Sequence, residues 1–206
     1  MVYDGYEFPV PQEKQVRLIT DTDAKNEADD QFAVVQALLS PKMDNVGLIA
    51  AHFGIDRVAD AMEASYHELE TILDKMHFQK EGLLYHGAPH ALPNKTTPVV
   101  SEGAELIVHE AMKDDPRRLF VIFLGPLTDL ASAYLMEPSI ANRLTAIWIG
   151  GGLYPSGSQA FNLGHDVNAA NVMISSINEL QQVPKKVYEM MTLSSDAMKG
   201  RHRRHD

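Results

Sequence analysis

Val16-Arg17-Leu18-Ile19-Thr20-Asp21-Thr22-Asp23-Ala24-Lys25-Asn26-Glu27-Ala28-Asp29-Asp30 carries the change of period on which the fold turns. The apolar and β-branched run Val16 to Thr20 predicts a strand that ends at Asp21. Beyond it the apolar positions fall at helical spacing. A helix is predicted from about Glu27 to Leu39, with Phe32, Val35, Ala37 and Leu38 among its apolar positions. Asn26 is its candidate N-cap and Pro41 its stop. A strand joined to a helix by one polar turn is the unit from which parallel sheets are assembled.

The unit recurs in both directions from Leu119 to Leu124 (LFVIFL), the most continuous apolar run, which predicts a strand buried on both faces. Before it lie a strand at Val46 to Ala51 and a long amphipathic helix at Ala59 to Met76. A short strand at Leu83 to Tyr85, a Pro-rich loop at His86 to Pro98 and a helix at Glu102 to Met112 follow. After it come a helix at Leu127 to Leu135, a strand at Leu144 to Ile149, a helix at Asp166 to Ile174 and a last strand at Lys186 to Met190. About six β-α repeats without consecutive hairpins predict an α/β fold: a mostly parallel open sheet with helices on both faces. No internal repeat or linker divides the chain, so residues 1–206 are expected to form one domain. Residues 1–15 are an N-terminal extension, and 199–206 a basic, disordered tail.

Composition narrows the function classes. The chain is 45% hydrophobic and 22% charged, as in a globular protein. Its formal net charge of −10 repels a nucleic-acid polymer and suits metal cations and neutral small molecules. There is no cysteine, which excludes disulfides, thiolate metal sites and a cysteine nucleophile. No apolar run approaches the roughly 18 residues of a membrane span, and the first residues lack the layout of a secretion signal. A cytoplasmic protein that does not engage a membrane is expected.

In such sheets ligands gather beyond the carboxyl ends of the strands. Asp21 to Asp30 places five carboxylates there within ten residues. Asp21 and Asp23 are two apart on an extended segment and share a face. Asp29 and Asp30 fall in the first turn of the next helix, where the macrodipole favours negative charge. Four aspartates around one turn exceed what helix capping requires. Their mutual repulsion calls for a hard divalent cation with many oxygen ligands, calcium or else magnesium with more water.

The stretch DTDAKNEADD resembles the signature Asp-x-Asp-Pro-Gly-x-Asp-Asp of the inosine-uridine-preferring nucleoside hydrolases, with two extra loop residues and no Pro-Gly. Leu124-Gly125-Pro126-Leu127-Thr128-Asp129-Leu130-Ala131 resembles that family's Leu-Gly-Pro-Leu-Thr-Asn-Leu-Ala. Ala160-Phe161-Asn162, followed by Asp166 and Ala169-Ala170, resembles its Glu-Phe-Asn-x-x-x-Asp-x-x-Ala-Ala. The resemblance runs from about Val16 to Val187 and implies calcium-assisted hydrolysis of ribonucleosides to ribose and free base. It implies that Asp23 is a calcium ligand and the base that activates water, and that Asp30 and the Thr128 backbone carbonyl are further ligands. Asp29 and Asn162 would bind the ribose, and Asp21 would support the site from behind the ligands. His52, where many members carry a Gly-Asn pair, is a further substrate-site candidate. Self-association into a homo-oligomer is common in the family.

Two departures matter. Ala160 stands where the family has a sugar-binding Glu, and the chain is expected to lack the family's C-terminal third, which supplies another aspartate ligand. A truncated or degenerate relative that binds calcium or ribose without turnover is the alternative. A phosphoryl-transfer enzyme of the haloacid dehalogenase type also has Asp-x-Asp after its first strand. Lys25 occupies the position of that family's Thr, and the Asp29-Asp30 pair is unexplained on that view.

Overall fold

A computed structural model describes residues 5, 9–54, 56–177 and 179–192. The basic tail at 199–206 lies outside the described residues, as does part of the N-terminal extension. Strand β1 (Val16–Thr22) pairs in parallel with β2 (Met43–Ala50) and with β4 (Leu119–Phe123). β3 (Leu84–His86) pairs with β2, β5 (Thr145–Ile149) with β4, and β6 (Leu180–Val183) with β5, all in parallel. The order is β3-β2-β1-β4-β5-β6. The chain builds outward from β1 to β3 and then returns to lay β4 on the other side of β1. Strand order therefore reverses between β1 and β4, and sheets of this kind take ligands beyond the carboxyl ends of the strands at such a point.

Both faces are covered. Within β2, Ile49 belongs to one core cluster with Val121, Phe123 and Trp148, while Leu48 and Ala50 belong to another with Val34, Leu38 and Leu69. That split follows from the two-residue alternation of a strand. Helices α1 (Asp30–Leu39) and α2 (Ala61–Lys75) cover the second cluster. Helices α3 (Glu102–Met112), α4 (Thr128–Met136) and α6 (Val167–Ser176) cover the first. At the amino end of β1, Arg17 is buried; its Nη1 donates to the Glu110 carbonyl at 2.7 Å and meets Glu110 Oε2 at 3.2 Å.

The predicted elements hold with five differences. β1 runs on through Asp21 and Thr22, which pair with Ile49 and Ala50 of β2. Helix α1 starts at Asp30, so Asn26 is not its N-cap. Its buried stripe is Val34, Ala37 and Leu38, and Phe32 is 68% exposed. The last strand is Leu180–Val183, and the predicted strand Lys186 to Met190 is instead the short helix α7 (Lys185–Tyr188). Pro184 explains this: without an N–H it cannot extend the ladder, and it sits at the N-cap of α7. A short helix α5 (Phe161–His165) was not predicted.

Gly87, just after β3, has no room for a side chain. A Cβ there would lie 2.5 Å from the Ala50 carbonyl oxygen and 2.7 Å from Asp129 Oδ2. Gly87→Ala is expected to cost about 2 kcal/mol of stability in urea unfolding, because backbone must shift to admit the methyl group.

Candidate active site

Three carboxylates are buried at the switch point. Asp21, inside β1, is fully buried, and neither of its carboxylate oxygens has a hydrogen-bond partner among the described residues. Asp23 follows the strand and is 3% exposed. Its Oδ2 accepts from Asn26 Nδ2 at 3.2 Å, and its carbonyl accepts from Asn26 N at 2.8 Å, which closes the turn. Asp30 opens α1 beside Asp23, and its Oδ2 accepts from the Thr22 hydroxyl at 2.6 Å. Asp29 lies at the N-cap position of α1 and is exposed, without a side-chain capping bond. The fold thus brings Asp21, Asp23 and Asp30 together and leaves Asp29 on the rim.

Electrostatics mark the cluster. Burial first, then repulsion from Asp129 and Asp23, holds the Asp21 carboxyl well above the usual carboxylate range. Burial and the neighbouring Asp30 do the same to Asp23. Asp30 is pushed up to about 6, chiefly by burial and against the pull of the Thr22 hydroxyl. Among the described residues no Lys or Arg forms an ion pair with any of these aspartates.

The β4–α4 turn forms the second wall. Leu124 N donates to the Asp21 carbonyl at 2.9 Å. A Cβ on Gly125 would lie 3.1 Å from Asp23 Oδ1, so the glycine lets the turn rest against that carboxylate. Thr128 is the first residue of α4, and its hydroxyl is enclosed between His52 and Asp166. His52 follows β2 and is 1% exposed. Burial, with His165 and His90 nearby, pushes its pKa down to about 4, so the ring is neutral at pH 7.

Asn162, predicted to bind ribose, stands on α5 against the ends of β4 and β5. Its Nδ2 donates to the Leu124 carbonyl at 2.5 Å and to the Ile149 carbonyl at 2.9 Å, tying the ends of β4 and β5 together. Asn162→Ala is expected to lower stability by about 1–2 kcal/mol through loss of that strap, measured by urea unfolding. Ala160 is buried at the N-cap of α5 and offers no polar group. Asp166 caps α6, with Oδ1 accepting from Ala169 N at 2.8 Å.

Two contributors were missed by sequence reasoning. Asp129, read only as a change from the motif's Asn, is buried; Oδ1 accepts from the Ser101 hydroxyl at 2.5 Å and from Ala88 N at 2.9 Å. It pins the loop after β3 to α3 and α4, and burial pushes its pKa up to about 6. Arg57 donates to Asn26 Oδ1 at 2.6 Å, and its guanidinium lies 4.8 Å from the centroid of the Phe161 ring. It joins the loops after β1 and β2 to α5. Arg57 belongs to no local pattern, and the partners of both residues are distant in sequence.

The chemistry available is that of hard oxygen donors. No three His, Asp or Glu side chains among the described residues form a ready metal cage. The cluster offers two adjoining carboxylates and the main chain of the turn beside them. A doubly wound parallel sheet with buried carboxylates at its switch point defines a Rossmann-like α/β protein of the kind that takes small ligands beyond its strand ends. Within that class the chain belongs to the inosine-uridine preferring nucleoside hydrolase family, whose model matches residues 18–205. It is 27% identical over 208 residues to "Probable uridine nucleosidase 2" of Arabidopsis thaliana, covering 87% of this chain and 62% of that protein. "Uridine nucleosidase 1" of the same plant is 25% identical, with 92% and 64% covered. The chain therefore spans less than two thirds of the length of these curated relatives. Among solved structures, a purine-preferring ribonucleoside hydrolase from Gardnerella vaginalis superposes with a TM-score of 0.75 at 20% identity, covering 91% of this chain and 66% of that one. An inosine-guanosine nucleoside hydrolase gives 0.72 at 19% identity, with 93% and 69% covered. These likenesses establish the fold.

Proposed function

We propose that this chain hydrolyses the N-glycosidic bond of ribonucleosides, releasing ribose and the free base, with a calcium ion held by Asp23, Asp30 and the Thr128 carbonyl. The observation that carries the reading is the burial of Asp21, Asp23 and Asp30 at the switch point with no positive partner among the described residues. Buried carboxylates without a counter-charge are costly. Their oxygens fit a hard divalent cation, and so does a neighbouring backbone carbonyl. When bound, such a cation lowers the pKa of a coordinated water and anchors ribose hydroxyls.

The chain's own groups divide the remaining work. Asp23 takes the proton of the attacking water, and Asn26 holds its Oδ2 in place. Thr22 fixes the orientation of Asp30. Asp21 supports the site from behind the ligands. Asp29, exposed on the rim, is free to accept from a ribose hydroxyl. Asn162 meets the sugar through Oδ1, because its Nδ2 is committed to Leu124 and Ile149.

A cytoplasmic homo-oligomer acting on free nucleosides is the setting this reading carries. No helix among the described residues is long and apolar enough to cross a membrane. The second reading, a binding protein without turnover, is favoured by Ala160 in place of the family's sugar-binding Glu. Chromatography of the products from inosine and from uridine separates the two. Hydrolysis yields base and ribose in equal amounts with no need for phosphate; a folded chain that binds calcium and releases neither belongs to the second reading.

A further inference from the structure

His52, Thr128 and Asp166 form a hydrogen-bond relay whose direction is fixed. Gly54 N donates to His52 Nδ1 at 3.2 Å, so Nδ1 is the acceptor and the ring proton sits on Nε2. Nε2 lies 2.9 Å from Thr128 Oγ1 and donates to it. The Thr128 hydroxyl then donates to Asp166 Oδ2 at 2.8 Å. The same Oδ2 accepts from Leu92 N at 2.8 Å. All three residues are at most 3% exposed. The relay thus ties the segment after β2, the start of α4, the cap of α6 and the loop after β3 to one hydroxyl.

Capping does not explain this arrangement. The N-cap of α4 is Leu127, which makes no side-chain capping bond, and Thr128 turns its hydroxyl away to the relay. What the relay does fix is the position of residues 124–128, the turn that rests on Asp23 through Gly125. We infer that His52 and Asp166 are positioning residues that hold Thr128, and with it the β4–α4 turn, against Asp23 so that a divalent cation meets a preformed site. The inference rests on the reading that Asp23, Asp30 and the Thr128 carbonyl hold that cation. It moves His52 from contact with substrate, where the sequence placed it, to a role exerted through Thr128. Groups that orient ligands in this way typically change metal affinity by about 10–100-fold when removed.

The test is a terbium luminescence titration of the full chain without nucleoside, with calcium as competitor. His52→Ala and Thr128→Val are expected to weaken terbium binding by about 10–100-fold. His52→Gln and Thr128→Ser, which restore an N–H donor and a hydroxyl, are expected to return it to within about threefold of the unsubstituted chain. Thr128→Val keeps the shape of threonine and serves should His52→Ala fail to fold, with folding checked by thermal melting. Unaltered affinity in the folded His52→Ala and Thr128→Val chains, with a raised KM for inosine in the former, would overturn the inference and return His52 to the substrate. If the unsubstituted chain binds no terbium, or Asp30→Ala binds it equally well, the cation reading itself fails first and the inference falls with it.

Discussion

Asp30→Ala is expected to reduce ribose release from inosine or uridine by at least about 100-fold and to abolish its dependence on calcium. The carboxylate lost is one of two that adjoin at the end of β1, and Thr22 presents it with a hydrogen bond at 2.6 Å. Removing it leaves Asp23 as the single cluster carboxylate proposed to touch the cation. The developing charge at the reacting centre then loses preorganised electrostatic stabilisation, whose removal usually costs about 100- to 1,000-fold in rate. The fold should survive, because truncation relieves the repulsion that Asp30 exerts on Asp23 and removes a group that burial disfavours in its charged form. Steady-state ribose release alongside thermal melting checks both halves. A folded Asp30→Ala chain with undiminished calcium-dependent turnover would remove Asp30 from the site.

The second large effect is on stability, at the opposite end of β1. Glu110→Ala is expected to cost about 3 kcal/mol in urea unfolding, because it strands a buried cation. Arg17 and Glu110 are 3% and 4% exposed, and the pair closes the amino end of β1 against α3. Arg17 keeps the Glu110 and Arg117 carbonyls and a more distant Asp115 as partners. That places the loss at the lower end of what breaking a buried pair usually costs. Glu110→Gln keeps an acceptor for Nη1 and should cost less. Equal losses for the two variants would mean that charge contributes nothing at this position.

The sheet was legible because its signals are local. Alternating strand and helix periods located β1 to β5 and the helices between them, and a parallel sheet places Asp21, Asp23 and Asp30 at one end of it. β6 was misread because Leu180-Gln181-Gln182-Val183 carries two exposed glutamines on an edge strand, whereas the apolar residues after Pro184 imitate a strand. Within the site, residues that act through neighbours in sequence were visible and those that act across the fold were not. His52 meets Thr128 across 76 residues, and Asp129 meets Ala88 across 41. A lone histidine and an Asn-to-Asp change carry no trace of such partners. Asn162 was singled out only as a ribose-binding amide, and its bonds to the ends of β4 and β5 exist only once those strands are side by side.

The most direct test of the central claim is ribose release from inosine by the 206-residue chain, first treated with chelator and then supplied with calcium. The account predicts release that vanishes with chelator and returns with calcium. Release that is indifferent to both would contradict the proposed cation site, and no release from a folded, calcium-supplied chain would contradict the proposed hydrolysis.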